Sequence, residues 1–332
     1  MSRVKIALIG YNEFSHAQSI FPTVKSLEDD FEFVGYCLPE NEREKFPHLM
    51  NQLAGEKELT LSEILDNPEI EAVVIETEEL YLTKYAYLAA KAGKHIHMEK
   101  PGGVSLSDFE NMISEVKKSG KVFHTGYMYR YNPAVMKLMS DIKEGKLGDI
   151  ISVEAQMNCN HMKNIREWLG NFPGGMMFFL GCHLVDLVLS IQGKPENIIP
   201  LNKVSGVDGT KSEDFGMAVL EYKNGVSFVK TTAVEVGGFS RRQLVVNGTK
   251  KTVEINPLEI HAGGYNQYTR VTERCDPTSW TDKGEATETE VFDRYKSMIE
   301  SFAKMVKGEK TNPWSCDYEL ELYKTVLKCC GE

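Results

Sequence analysis

Short apolar, β-branched runs alternate with longer segments of helical periodicity through the first third of the chain. Val4–Ile9 is closed by Gly10, a helix around Ser15–Leu27 follows, and Phe31–Cys37 reads as a second strand. Leu61–Leu65 suits a short helix. Ala72–Thr77 begins with the unbroken apolar character of a strand buried on both faces. Leu82–Ala92 reads as a helix stopped by Gly93, in the place of a C-terminal glycine cap, and Ile96–Met98 as a fourth strand. Ser107 and Glu110 have capping-box spacing and start a helix that ends at Gly120. Val122–Thr125 is a fifth strand. Repeated β–α units of this length predict the α/β class: a doubly wound parallel sheet, with a domain boundary near residue 125.

The pattern then changes. Asn132-Pro133 reads as an N-cap with proline at the first helical position, opening a helix that runs to Gly145. From Ile151 onward antiparallel signals dominate. Phe215–Tyr222 and Val226–Val234 flank Lys223-Asn224-Gly225, a hairpin turn, and Leu244–Val246 and Thr252–Ile255 flank a second Asn-Gly at Asn247-Gly248. One long apolar helix, Met176–Ile191, carries His183 and Asp186. Two helices, around Val291–Lys307 and Asp317–Cys330, close the chain.

Composition narrows the function. The chain has 332 residues, 42% hydrophobic and 26% charged, within the range of a soluble globular protein of two domains. A formal net charge of −10 argues against nucleic acid, which demands a basic surface. No apolar run reaches the roughly 18 residues of a membrane span. The first strand begins too near Met1 to leave room for a signal peptide, and seven cysteines, an odd number without metal-ligand spacing, suit a reducing compartment. These features predict a cytoplasmic protein with no metal and no membrane partner.

Two places carry chemistry. Gly10-Tyr11-Asn12-Glu13-Phe14-Ser15 lies between the first strand and the first helix, the setting of a dinucleotide phosphate loop. Gly10 permits the tight turn. Asn12 stands where a second glycine is usual; it tolerates left-handed geometry, but its side chain crowds a pyrophosphate. Ser15 is small enough for the third position, and Glu13 is a carboxylate near the phosphates. The ribose-binding acid expected after the second strand is Leu38 here, with Glu40 two residues on. No arginine follows to hold a 2′-phosphate, which favours NAD over NADP. The second place is Glu99-Lys100-Pro101, where the fourth strand delivers a lysine to the carboxyl edge of the sheet, the edge at which open α/β sheets bind ligands.

These residues, with Glu71–Ile75, Ala92–His95, Gly126–Pro133 and Gly174-Gly175…His183…Asp186, make the chain resemble the glucose–fructose oxidoreductase/inositol dehydrogenase (Gfo/Idh/MocA) family from residue 4 to about residue 330. The resemblance implies a Rossmann domain over 1–125 and an α+β domain over 126–332 with a large, open, mainly antiparallel sheet that often forms the oligomer interface, its C-terminal helix packing back on the first domain. It implies a homo-oligomer, dimer or tetramer, and a sugar, polyol or related substrate bound between the domains. It places Gly10, Tyr11, Asn12, Glu13, Phe14, Leu38, Thr77, Glu78, Glu99 and Lys100 on NAD or NADP. Family members usually carry Asp four residues before the histidine of the second motif; here that residue is Phe179. Thr77-Glu78 replaces the usual Thr-Pro.

In the mechanism so implied, His183 takes the substrate's hydroxyl proton and Lys100 stabilises the developing negative oxygen while hydride passes to the cofactor. Trp168, Arg166 and Phe179 are further substrate contacts, the first two by stacking and hydrogen bonding. Asp186, one helical turn from His183, stands either as a replacement acid or as a structural partner. Three functions compete: a NAD(P)-dependent oxidoreductase acting on a sugar, polyol or cyclitol hydroxyl; a lyase or glycosidase that oxidises and re-reduces its substrate on a retained nicotinamide; and a non-catalytic protein that senses a sugar or dinucleotide. Lys100 and His183 favour the first; Asn12, Leu38 and Phe179 favour the last.

Overall fold

Five parallel strands form the first sheet: β1 (Val4–Ile9), β2 (Phe31–Cys37), β3 (Ala72–Ile75), β4 (His95–Met98) and β5 (Phe123–Thr125), in the order β2-β1-β3-β4-β5. Every residue of β3 is buried, as its apolar run requires. Helices α1 (Ala17–Ser26), α2 (Glu42–Lys45), α3 (Leu61–Leu65), α4 (Leu82–Lys91) and α5 (Leu106–Ser119) connect the strands. The winding reverses between neighbours β1 and β3, paired from Ile6↔Ala72 to Ile9↔Ile75, so the loops after these two strands emerge side by side. That switch point is where doubly wound sheets bind ligands.

The computed structural model describes residues 3–332, which divide into two compact units. The first holds the parallel sheet, up to Tyr127, together with Tyr295–Leu320; the second holds Met128–Arg294 and Glu321–Glu332. Helix starts differ locally from the sequence reading. The cap of α5 is Ser105, whose side chain accepts from Asp108 N, and not Ser107. The reciprocal capping box lies at Thr60 and Glu63 on α3.

The second unit opens as its sequence implies: Asn132 Oδ1 accepts from Ala134 N and Val135 N, with Pro133 first in α6 (Pro133–Lys143). Next come β6 (Ile150–Asn158), α7 (Lys163–Trp168) and α8 (Cys182–Gln192), then β7 (Asn197–Pro200), β8 (Phe215–Tyr222), β9 (Gly225–Thr232), β10 (Gln243–Gly248), β11 (Thr252–Ile255), β12 (Ile260–His261), β13 (Asn266–Tyr268), β14 (Arg270–Arg274), β15 (Glu285–Glu288) and β16 (Phe292–Asp293). Eight strands form one sheet, β15-β14-β11-β10-β6-β9-β8-β7, in which only the β6–β9 pair is parallel. Strands β12, β13 and β16 form a small second sheet. The Asn247-Gly248 pair ends β10 instead of turning the hairpin, because Asn247 itself pairs with Thr252.

The long helix expected over Met176–Ile191 is two pieces, a π-helical turn at Met177–Gly181 followed by α8. The chain then returns to the first unit through α9 (Lys296–Val306) and the start of α10 (Cys316–Cys330). Phe302 of α9 stacks on His124 at 5.6 Å and packs against Phe31 at 6.4 Å between centroids. Glu319 accepts from Thr125 Oγ1 at 3.0 Å. All seven cysteines are free thiols. No helix among the described residues is long and apolar enough to cross a membrane.

Candidate functional site

Gly10 sits at φ +92°, and a Cβ added to it would lie 2.5 Å from Thr77 N, so the turns after β1 and β3 interlock only because position 10 lacks a side chain. Asn12 is not among the left-handed residues, so its tolerance of that geometry is not used. Its side chain turns inward, fully buried, and satisfies itself completely. Nδ2 donates to Glu76 O at 2.8 Å and to Glu42 Oε1 at 3.0 Å, while Oδ1 accepts from Phe14 N at 2.9 Å and Ser15 N at 3.0 Å. Glu42 Oε2 accepts from Tyr11 N at 2.8 Å. Tyr11 is itself fully buried, its hydroxyl donating to Gln52 Oε1. Three backbone amides of this loop, those of Tyr11, Phe14 and Ser15, are thus bonded to the chain's own oxygens.

The carboxyl edge of the sheet is rich in buried acids: Glu42, Glu76, Glu79 and Glu99. Burial pushes Glu42 up to about 7 against the pull of Tyr11 N and Asn12, and Glu79 up to about 8 against the pull of Lys100. Burial, then the Glu99 charge, hold Glu76 well above the ordinary range. Glu99 behaves oppositely. Against its own burial, His16 at 3.1 Å and Lys100 at 3.7 Å draw it down to about 2. Lys100, 2% exposed, thus stands beside one ionised carboxylate among acids that favour their neutral form.

Gly10, Tyr11, Asn12, Thr77, Glu78, Glu99 and Lys100 therefore lie at one sheet edge, and Leu38 adjoins them, following Cys37, whose carbonyl accepts from Gly10 N at 2.9 Å; the side chains of Glu13 and Phe14 turn to other partners. Glu13 is exposed and pairs with His48 at 3.4 Å. Phe14 is half-buried against Phe46. Leu38 is half-buried at the end of β2, and Glu40 accepts from Lys84 Nζ and Tyr85 OH. The acid that reaches the loop is Glu42. Sequence reasoning missed it because Glu40-Asn41-Glu42-Arg43 has the character of a solvated run.

In the second unit the ring of His183, buried on α8, meets Tyr129 edge-on at 5.1 Å. The Tyr129 hydroxyl donates to Glu259 Oε2, which also accepts from Arg242 at 2.8 Å and Arg294 at 3.1 Å. Asp186 binds Arg130, with Nε 2.9 Å from Oδ2 and NH2 2.7 Å from Oδ1. Its carboxylate is thereby committed to an ion pair. Phe179 is half-buried and packs edge-on against Trp168 at 5.3 Å, with His161 at 6.2 Å, forming an aromatic wall. The Arg166 guanidinium is buried and paired with Asp208, with Asp214 at 4.0 Å.

Residues 4–127 match the family described as "Oxidoreductase family, NAD-binding Rossmann fold", and residues 135–254 match the GFO/IDH/MocA C-terminal domain. The chain is 26% identical over 262 residues to a trans-1,2-dihydrobenzene-1,2-diol dehydrogenase of Bos taurus, covering 72% of this chain and 75% of that protein. It is 25% identical over 269 residues to a 2,7-anhydro-N-acetylneuraminate hydratase of Escherichia coli, covering 77% and 69%. Among solved structures, an aldose-aldose oxidoreductase of Caulobacter crescentus aligns over 99% of this chain and 98% of its own, with a TM-score of 0.78 at 18% identity. That likeness is one of fold.

Proposed function

Because this chain belongs to the GFO/IDH/MocA family of oxidoreductases, we propose that it transfers hydride between a hydroxyl-bearing carbon of a sugar, polyol or cyclitol and NAD or NADP. The observation that carries this reading is Lys100: a nearly dry ammonium at the end of β4, flanked by an ionised Glu99. Burying a lysine is costly, and this one stands at the edge where doubly wound sheets bind their ligands.

The frame of the first unit suits a dinucleotide. Gly10 lets the turns after β1 and β3 close on each other without a side chain, at the switch point of the strand order. Gly10, Tyr11, Asn12, Glu13 and Phe14 are assigned to the phosphates, Leu38 to the adenosine end, and Thr77, Glu78, Glu99 and Lys100 to the nicotinamide end. When bound, the dinucleotide supplies the hydride acceptor or donor. Lys100 is assigned to hydrogen-bond the reacting oxygen and to offset the negative charge that grows on it. His183, its ring set against Tyr129, is assigned the hydroxyl proton. Phe179 and Trp168 offer apolar faces to a ring, with Arg166 as a neighbouring polar contact. The bovine relative's name specifies a cyclic vicinal diol, and a ring with adjacent hydroxyls is the substrate class assigned here.

A second reading, an elimination or hydration in which the substrate is transiently oxidised and the retained nicotinamide is reduced and then reoxidised, is favoured by the Escherichia coli relative's name and by Phe179 in place of the customary acid. Non-catalytic sensing is the outcome if no turnover is found.

Absorbance of reduced nicotinamide across inositols, aldoses and cyclic diols tests the assignment. Net change with one substrate class is expected, and Lys100→Met should lower kcat/KM by about 10²–10³-fold or more without unfolding. Full activity in the folded variant would overturn it. Substrate consumption without net nicotinamide change would select the second reading.

A further inference from the structure

We propose that the Glu42 carboxylate and the Asn12 carboxamide are internal occupants of the phosphate loop, so that a dinucleotide gains the amides of Tyr11, Phe14 and Ser15 only by displacing them, and Glu42 sets dinucleotide affinity. This rests on the dinucleotide reading above. Two observations carry it. Tyr11 N, Phe14 N and Ser15 N lie in the segment from which a Rossmann turn offers amides to phosphate oxygens, and all three already donate at 2.8 to 3.0 Å to oxygens of the chain. Glu42 is 1% exposed, so it is a packed part of the loop and not a flexible acid resting on it.

The chemistry of the occupants matches what they replace. A carboxylate offers two acceptor oxygens on one anionic carbon, as a phosphate offers several on phosphorus. Glu42 uses both: Oε2 for the loop backbone and Oε1 for Asn12 Nδ2. Asn12 links Glu42 to the end of β3 through Glu76 O, which ties the acid to the turns after both strands at the switch point. A pyrophosphate brought to these amides would have to dislodge a packed carboxyl, with Glu76 also buried nearby. Any ionised fraction of Glu42 would add repulsion to that cost. The ribose-binding acid of this fold leaves its carboxylate for the ligand, whereas Glu42 is spent on the protein.

Helix α2, which carries Glu42, is only four residues long, and Glu40 and Asn41 before it are both left-handed, at φ +57° and +59°. Displacing Glu42 therefore means moving a short turn and not a long helix.

Calorimetric titration of NAD and NADP into the full-length protein, Glu42→Ala and Asn12→Gly tests the proposal, with folding of each variant checked by circular dichroism. Expected are weak wild-type binding and affinity at least about 10-fold tighter in Glu42→Ala, with a gain of the same sign in Asn12→Gly, which frees Phe14 N and Ser15 N. In the ligand-free wild type, amide exchange at Tyr11, Phe14 and Ser15 should be slow. Should Glu42→Ala fail to fold, Asn12→Gly and the exchange rates decide. Tight wild-type binding that is unchanged in a folded variant would overturn the proposal and leave the dinucleotide reading standing. Rapid exchange at all three amides would likewise overturn it. If wild type and every folded variant bind neither dinucleotide at millimolar concentration, this proposal and the dinucleotide reading fall together.

Discussion

Asp186 and Arg130 hold each other in a nearly dry site through Nε and NH2, so removing one partner strands a charge and does more than break a contact. Asp186→Ala is expected to destabilise the protein by about 3–5 kcal/mol, read from urea unfolding. A loss under about 1 kcal/mol would mean that Arg130 finds another partner. The raised acids give a second expectation. Glu42 and Glu79 rise from an ordinary 4.5 to about 7 and about 8, so the folded protein binds protons that the unfolded chain releases. Their contribution is complete below about pH 4.5 and is lost as pH climbs through 7 and 8. Stability should fall by about 4 kcal/mol between about pH 6 and pH 8.5, and Glu79→Gln should flatten the slope. An unchanged slope in that variant would remove Glu79 as its source. Glu99, drawn down to about 2, is ionised across this whole window and does not contribute to the slope.

At the scale of elements, α9 bears on the integrity of the first unit. Met298, Ile299, Phe302, Ala303 and Met305 are buried, and each large apolar side chain among them contributes about 1.5–3 kcal/mol. A fragment ending at Tyr127 should therefore bind hydrophobic dyes and lack a sharp thermal transition, whereas the same fragment joined by a flexible linker to Tyr295–Leu320 should melt cooperatively. A cooperative transition in the short fragment would show that α9 is dispensable. Much of the fold of both units was legible in the sequence. Strands β1 to β5 declare themselves by apolar, β-branched runs, and the cap of α6 by Asn132-Pro133. The π turn at Met177–Gly181 was not, because apolar residues on every side leave no periodicity to tell one helical pitch from another. Lys100 could be read from its strand end. Glu42 could not, since its role depends on a contact 31 residues back along the chain with Tyr11 N. Arg166 reads from the sequence as a candidate substrate contact, whereas its pairing with Asp208 and Asp214, more than 40 positions onward, is not legible there.

For the whole molecule, the eight-stranded sheet is the face on which the expected meeting of copies is placed. Along β8 and β9, Phe215, Met217, Val219 and Phe228 are only half-buried, alternating with fully buried Ala218, Leu220 and Val229. This partly exposed apolar face is where the expected homo-oligomer is placed. Light scattering after gel filtration should show a dimer or larger for the native chain and a smaller species for Val219→Glu with Phe228→Glu. A native monomer would refute that placement. The ends of the sheet behave differently. Strand β15 is exposed at all four residues and begins and ends in glutamate, and β7, at the far end, terminates in Pro200, which has no amide to donate. Charge at one rim and a missing donor at the other discourage strand-by-strand growth. A crowded solution of this protein should accordingly resist fibril formation, and its sheet can stay broad and open without becoming a template for aggregation.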